Sequence, residues 1–239
     1  MVAVALRNDD IAAPEASAAG RGEVLARYRH LRQISRRHNS RAADLAPKEA
    51  LLNHARRLGL ADGRTFVVDS MDELTLALDL VVYTASVDRS RAIDRYARAA
   101  RFAPGSDEAR VIDAMCNARF GVLVVERRHE AAGLIVTDLY RESEFWLVDE
   151  GWEASLPDGT AVATRYYKPD RFYITAGVAV PVSEDLLARA LASTPFLLRK
   201  PPDKALGDRR FAEAVYRAAI FEGVTQRMRY QDAPRPDEA

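Results

Sequence analysis

Residues 120–182 read FGVLVVERRHEAAGLIVTDLYRESEFWLVDEGWEASLPDGTAVATRYYKPDRFYITAGVAVPV. Helical spacing gives out here. Short apolar runs rich in β-branched and aromatic residues alternate with turn residues, the mark of strands. The segment 172–180 alternates most cleanly. Phe172, Ile174, Ala176, Val178 and Val180 fall on one face; Tyr173, Thr175, Gly177 and Ala179 fall on the other. Further strands are predicted over 121–126, 133–140, 145–149 and 160–167. Pro157-Asp158-Gly159 and Lys168-Pro169-Asp170 supply turn chemistry. Five strands at near-even spacing with no helix between them predict an antiparallel meander. Open edges on such a sheet invite pairing with other chains. Closure into a small SH3-like or OB-like barrel, or cover from a helix, is the expected solution.

The rest reads as helix, so the expected class is α+β. An N-terminal helical part of about five helices (21–119) precedes the β-region (120–182), and C-terminal helices (183–239) pack against it. Val24, Tyr28, Leu31 and Ile34 recur at three and four, predicting a helix over 22–39. Pro47 opens a second helix that Gly59 closes. Ser70 with Glu73 forms a capping box. The helix it opens runs to about Ala85, is apolar on more than one face, and is expected at the centre. Asp88, Ser106, Ser183 and Asp208 are expected to cap further helices, the last reaching about Arg229. Residues 1–20 are small-residue-rich and predicted to be a mobile tail, and 231–239 a frayed end.

Lys plus Arg equals Asp plus Glu, 35 each, so net charge points to no polyanionic partner. Its distribution is uneven. Residues 1–60 carry 11 basic against 6 acidic side chains, and residues 120–182 carry 6 against 10. Cys116 is the single cysteine, which excludes an intrachain disulfide and fits a reducing cytoplasm. No apolar run approaches the roughly 20 residues of a membrane span, so no membrane role is expected.

The motifs of common chemistry are missing. There is no His-x-x-x-His, no Gly-x-Ser-x-Gly, no Gly-x-Gly-x-x-Gly and no P-loop. Neither metal nor cofactor is expected, and catalysis is disfavoured. Cys116, near a helix C-terminus, reads as a small buried hydrophobe. The four histidines read as partly exposed helix residues.

The sharpest signal is the basic helix 21–41. Arg27, Arg29, Arg32, Arg36, Arg37 and Arg41 can contact phosphates. They can equally pair with the acidic β-region of the same chain. Trp152, in the loop between the third and fourth strands and flanked by Glu150 and Glu153, can anchor a protein partner. Three functions follow. The first is a non-catalytic accessory or interaction protein of a bacterial-type cytoplasm, associating with a protein partner or with itself. The second is a nucleic-acid-binding protein using helix 21–41. The third is an enzyme using carboxylates such as Asp138 or Asp149 at the junction of the helices and the β-region.

Overall fold

The chain enters through a 24-residue helix, α1 (Arg21–Asp44), five residues longer at its C-terminal end than the periodicity suggests. The computed structural model describes residues 20–68, 70–85, 89–201, 204–205 and 208–224. The tail expected over 1–20, apart from Gly20, and the end expected over 231–239 lie outside these.

Helix α2 (Lys48–Leu58) leads to a hairpin of two-residue strands, β1 (Ala61–Asp62) and β2 (Thr65–Phe66), turned at Gly63. Helix α3 (Met71–Tyr83) starts where expected. The Ser70 hydroxyl accepts the Glu73 amide at 3.3 Å. Helix α4 (Ala92–Ala99) starts late, with Arg91 at its N-cap and no side-chain cap; the predicted cap, Asp88, lies outside the described residues. Ser106 caps α5 (Asp107–Cys116). After the sheet come α7 (Glu184–Ala192), capped by Ser183, a 3-10 turn (Leu197–Arg199), and α8 (Arg209–Phe221), capped by Asp208. Helix α8 stops at Phe221; the extension expected toward Arg229 falls outside the described residues past Val224.

The predicted strands appear within about two residues as β3 (Arg119–Arg128), β4 (Leu134–Asp138), β5 (Ser143–Leu147), β6 (Ala161–Tyr167) and β7 (Ile174–Pro181). All pair antiparallel. Their order is β5-β4-β3-β6-β7, which is not a meander. The first strand lies in the middle. The reason is an element the sequence reading missed, the short helix α6 (Glu150–Ser155), with Asp149 as N-cap. It carries the chain from the outer edge of β5 round to the free edge of β3.

The sheet is not closed into a barrel either. Its edges meet only at a bridge beside Leu147, where Val148 N–H donates to Tyr173 O at 2.9 Å and Tyr173 N–H donates to Trp146 O at 2.8 Å. Cover takes the place of closure. Helix α1 lies over β7, with Arg32 donating to Thr175 O at 2.5 Å and Asn39 to Ala176 O at 3.3 Å.

Both faces of the sheet are apolar. Phe120, Val122, Ala163, Val178 and Val180 pack with α2, α3, α7 and α8. Tyr167, Phe172 and Ile174 pack with α1, α3, α4 and α5. Leu123, Val125, Leu134, Val136, Val162 and Tyr166 form a core on the opposite face, with Trp152 of α6 over it. Helix α3 contributes to both helical clusters, as its two-sided apolarity predicts.

Candidate functional site

The arginines of α1 face the chain's own carboxylates. Arg27 holds Asp107 bidentately, at 2.5 and 2.7 Å, and reaches Asp170 at 2.8 Å. Arg29 holds both oxygens of Glu150 at 2.8 Å, and Arg21 reaches Glu153 at 2.6 Å. Arg37 stands 3.7 Å from Glu108. Arg32 lies against Gly177, where an added Cβ would meet its Nη2 at 3.3 Å. Only Arg36 and Arg41 of the six are exposed with no carboxylate partner among the described residues. Arg27 holds the Asp107 carboxyl down to about 2. A depressed carboxylate stabilises the fold above its unfolded value near 4 and loses that contribution as pH falls toward 2. The α1 contacts should therefore survive the whole neutral range.

The carboxylates weighed for catalysis are both buried and hydrogen-bonded within the fold. Asp138 is fully buried. It takes the Tyr166 hydroxyl at 2.6 Å, Arg141 Nη1 at 2.7 Å, and the amides of Tyr140 and Arg141 at 3.1 Å. Gly121 makes room for it, since a Cβ there would lie 2.5 Å from Asp138 Oδ2. Asp149 caps α6 through the Trp152 amide at 3.2 Å and accepts the Thr175 hydroxyl at 2.9 Å. Each carboxylate has its own separate set of hydrogen-bond donors.

A third buried carboxylate forms an ion pair in which both side chains are buried. Asp79 of α3 meets Arg165 of β6 at 3.0 Å (Nε) and 2.9 Å (Nη2), and Tyr216 of α8 donates to Asp79 Oδ2 at 2.9 Å. The Arg165 guanidinium lies over the rings of Tyr83, at 4.7 Å, and Phe120, at 5.6 Å. Burial opposes the Arg165 charge, but Asp79 outweighs it and the arginine stays protonated. Burial likewise raises the Tyr83 phenol, whose hydroxyl donates to Asn39 at 2.9 Å. Tyr167 bonds Ser35 of α1. A polar seam thus runs through the interior from α8 to α1.

The profile of a protein family of unknown function matches residues 23–224. The chain belongs to that family, DUF7986. The DUF7986 match runs from Glu23, in the first turn of α1, past the end of α8, so the polar seam and the α1 contacts other than that of Arg21 lie within it. No curated protein and no solved structure matches the chain.

In this DUF7986 chain Trp152 is 7% exposed and packs in the core beneath α6, which leaves little of the indole for a partner. His38, expected to be partly exposed, is buried and bonds the Tyr96 hydroxyl and Glu108 O, each at 3.1 Å. Cys116 is half-buried, and burial beside Asp94 pushes its thiol up to about 11, so it is not a thiolate at neutral pH. Among the described residues no three His, Cys, Asp or Glu side chains gather as metal ligands, and no helix is long and apolar enough to cross a membrane.

Asp79, Arg165 and Tyr216 were absent from the sequence reading. The signal was there. Asp79 is the lone charge inside LTLALDLVVY (residues 74–83), and Arg165 falls on the same strand face as Ala161 and Ala163. A charge inside an apolar stripe needs a buried partner.

Proposed function

We propose that the protein is a non-catalytic accessory protein of a bacterial-type cytoplasm that acts by docking to another protein chain. The observation that carries this reading is a short strip of sequence, from the end of β2 to the start of α3, in which three large apolar side chains are exposed. Phe66, Val67 and Met71 are 41, 58 and 71% exposed. Large apolar side chains gathered outside the core mark contact surfaces. The strip borders a two-residue edge strand that has one unpaired side, so a partner backbone can add to it. The first partner to test is a second copy of the chain. Equal numbers of acidic and basic side chains, 35 each, remove the net repulsion that would keep copies apart. The enzymatic reading has less support, because Asp138 and Asp149 are buried and each is engaged by donors of the fold. The nucleic-acid reading retains Arg36, Arg37 and Arg41 as outward cations.

Sedimentation velocity over a wide concentration range tests the proposal. The wild type is expected to shift from monomer toward dimer as concentration rises. Phe66→Ser with Met71→Lys should weaken that association at least about tenfold, the equivalent of ~1.4 kcal/mol. Identical monomeric sedimentation of both proteins at every concentration would rule out the second copy as the partner and remove the main support for this reading.

A further inference from the structure

A groove opens between α2, the end of α3 and the start of α4, enclosing about 210 Å³. It is distinct from the apolar strip, and its lining is of another kind. Asn53, His54, Arg57, Thr84, Arg89 and Arg95 are among its polar lining residues, and Glu49 is the one carboxylate among the described lining residues. Among the described residues Arg95 is tied to carbonyls alone, Ser90 O at 2.5 Å and Leu45 O at 3.4 Å. Arg89 is exposed and has no carboxylate partner among the described residues. Arg57 is partly offset by Glu213 at 3.2 Å. Carbonyl acceptors satisfy an arginine's N–H groups without cancelling its charge, so the described residues of the groove keep a positive balance.

Two further features point the same way. Ala92, the first residue of α4, lines the groove, and α4 has no side-chain cap. No N-cap side chain takes its first N–H groups, although Asp94 already sets one carboxylate in its first turn, against the positive end of the dipole. The His54 ring also reports the local field. Arg57 Nη2 donates to His54 Nδ1 at 2.9 Å. Thr84 Oγ1 gives its proton to Leu80 O at 2.6 Å and stands 3.4 Å from Nε2, where it can accept. The ring is therefore neutral, with its proton on Nε2. Burial, then Arg57 and Arg209, push it down to about 4, against a weaker opposing pull from Asp79. Glu213, 3.9 Å from Nδ1, is the other charged group facing it.

We propose that this groove binds a small oxyanion, a phosphate or carboxylate group, held between Arg89, Arg95 and the start of α4. The volume suits a compact anion or the charged end of a metabolite. Arginine forks and free helix N–H groups are what such an anion needs.

The test is an NMR titration of the full chain, at constant ionic strength, following the His54 ring signal identified by its loss in His54→Asn. Inorganic phosphate, succinate and chloride are the three arms. A saturable shift with phosphate or succinate, but not chloride, is expected. The preferred arm names the oxyanion class. Bound anion should also move the His54 midpoint from about 4 toward its ordinary value near 6.5. Arg89→Gln, at an exposed position, should leave the fold intact by circular dichroism and weaken binding about tenfold. Non-saturable shifts alike in all three arms would overturn the proposal, as would unchanged affinity in Arg89→Gln.

Discussion

Replacing Asp79 with Ala is expected to cost about 3–5 kcal/mol of folding stability, the largest loss from any single polar side chain in the molecule. The substitution leaves the Arg165 guanidinium charged and nine-tenths buried against Tyr83 and Phe120, and removes an acceptor from the Tyr216 hydroxyl. Arginine does not escape by losing its proton. A thermal midpoint lower by roughly 10 °C follows for a chain of this size. The same argument makes a second expectation. Asp79→Leu with Arg165→Met takes both charges away together, and a well-packed apolar pair often equals or exceeds the ion pair it replaces. The double variant should therefore recover most of the loss seen in Asp79→Leu alone. Chemical denaturation of the wild type and the three variants measures it. A cost under about 1 kcal/mol for Asp79→Ala would mean the contact is solvated, contrary to the buried geometry.

Gly133→Ala is expected to cost about 3 kcal/mol or more. Gly133 has φ +79°, a left-handed conformation that costs an L residue about 1 kcal/mol. An added Cβ would also stand 2.4 Å from Leu147 O and 2.9 Å from Val148 Cα. Those are backbone atoms at the end of β5, so the neighbour cannot rotate aside; it must move as a strand. Gly159→Ala separates the two causes. Its φ is +82° and nothing lies within 4 Å of the added atom, so it should cost only the conformational part. The shift of β5 should be visible in tryptophan fluorescence. Trp146 donates to Ala132 O at 2.8 Å and stacks on His129 at 4.0 Å, next to the altered residue. Equal stabilities for the two alanine variants would show that the close approach is not real.

The strands and most helix starts could be read from the chain because their causes are local. The alternation from Phe172 to Val180 survives residue by residue: Phe172 and Ile174 pack toward α1, and Val178 and Val180 toward α8. Ser70, Ser106, Ser183 and Asp208 cap helices because a hydroxyl or carboxylate can reach an amide two or three residues on wherever the chain goes. Strand order was not legible, because it depends on which edge the chain reaches after β5. Six residues of α6 decided that, too few to display a period, although Asp149 two residues ahead of Gly151 and three ahead of Trp152 was a cap signal in plain view. The excess of arginine near the N-terminus and of carboxylate in the β-region did anticipate one outcome. Arg21, Arg27 and Arg29 bind Glu153, Asp170 and Glu150. What composition could not say was that Arg36 and Arg41 would be left outside, since that depends on the rotation of α1 about its axis.

Whether the α1 arginines are spent within the molecule or offered to a polyanion separates the docking protein from a nucleic-acid-binding one. Fluorescence anisotropy with a labelled random-sequence duplex, at about 50 and 200 mM salt, measures that directly. Wild type and the Arg36→Gln/Arg41→Gln variant should give the same weak signal, with no α1-dependent fall between the two salts. Tight binding at low salt that drops steeply at high salt, and is lost in the variant, would contradict the docking reading.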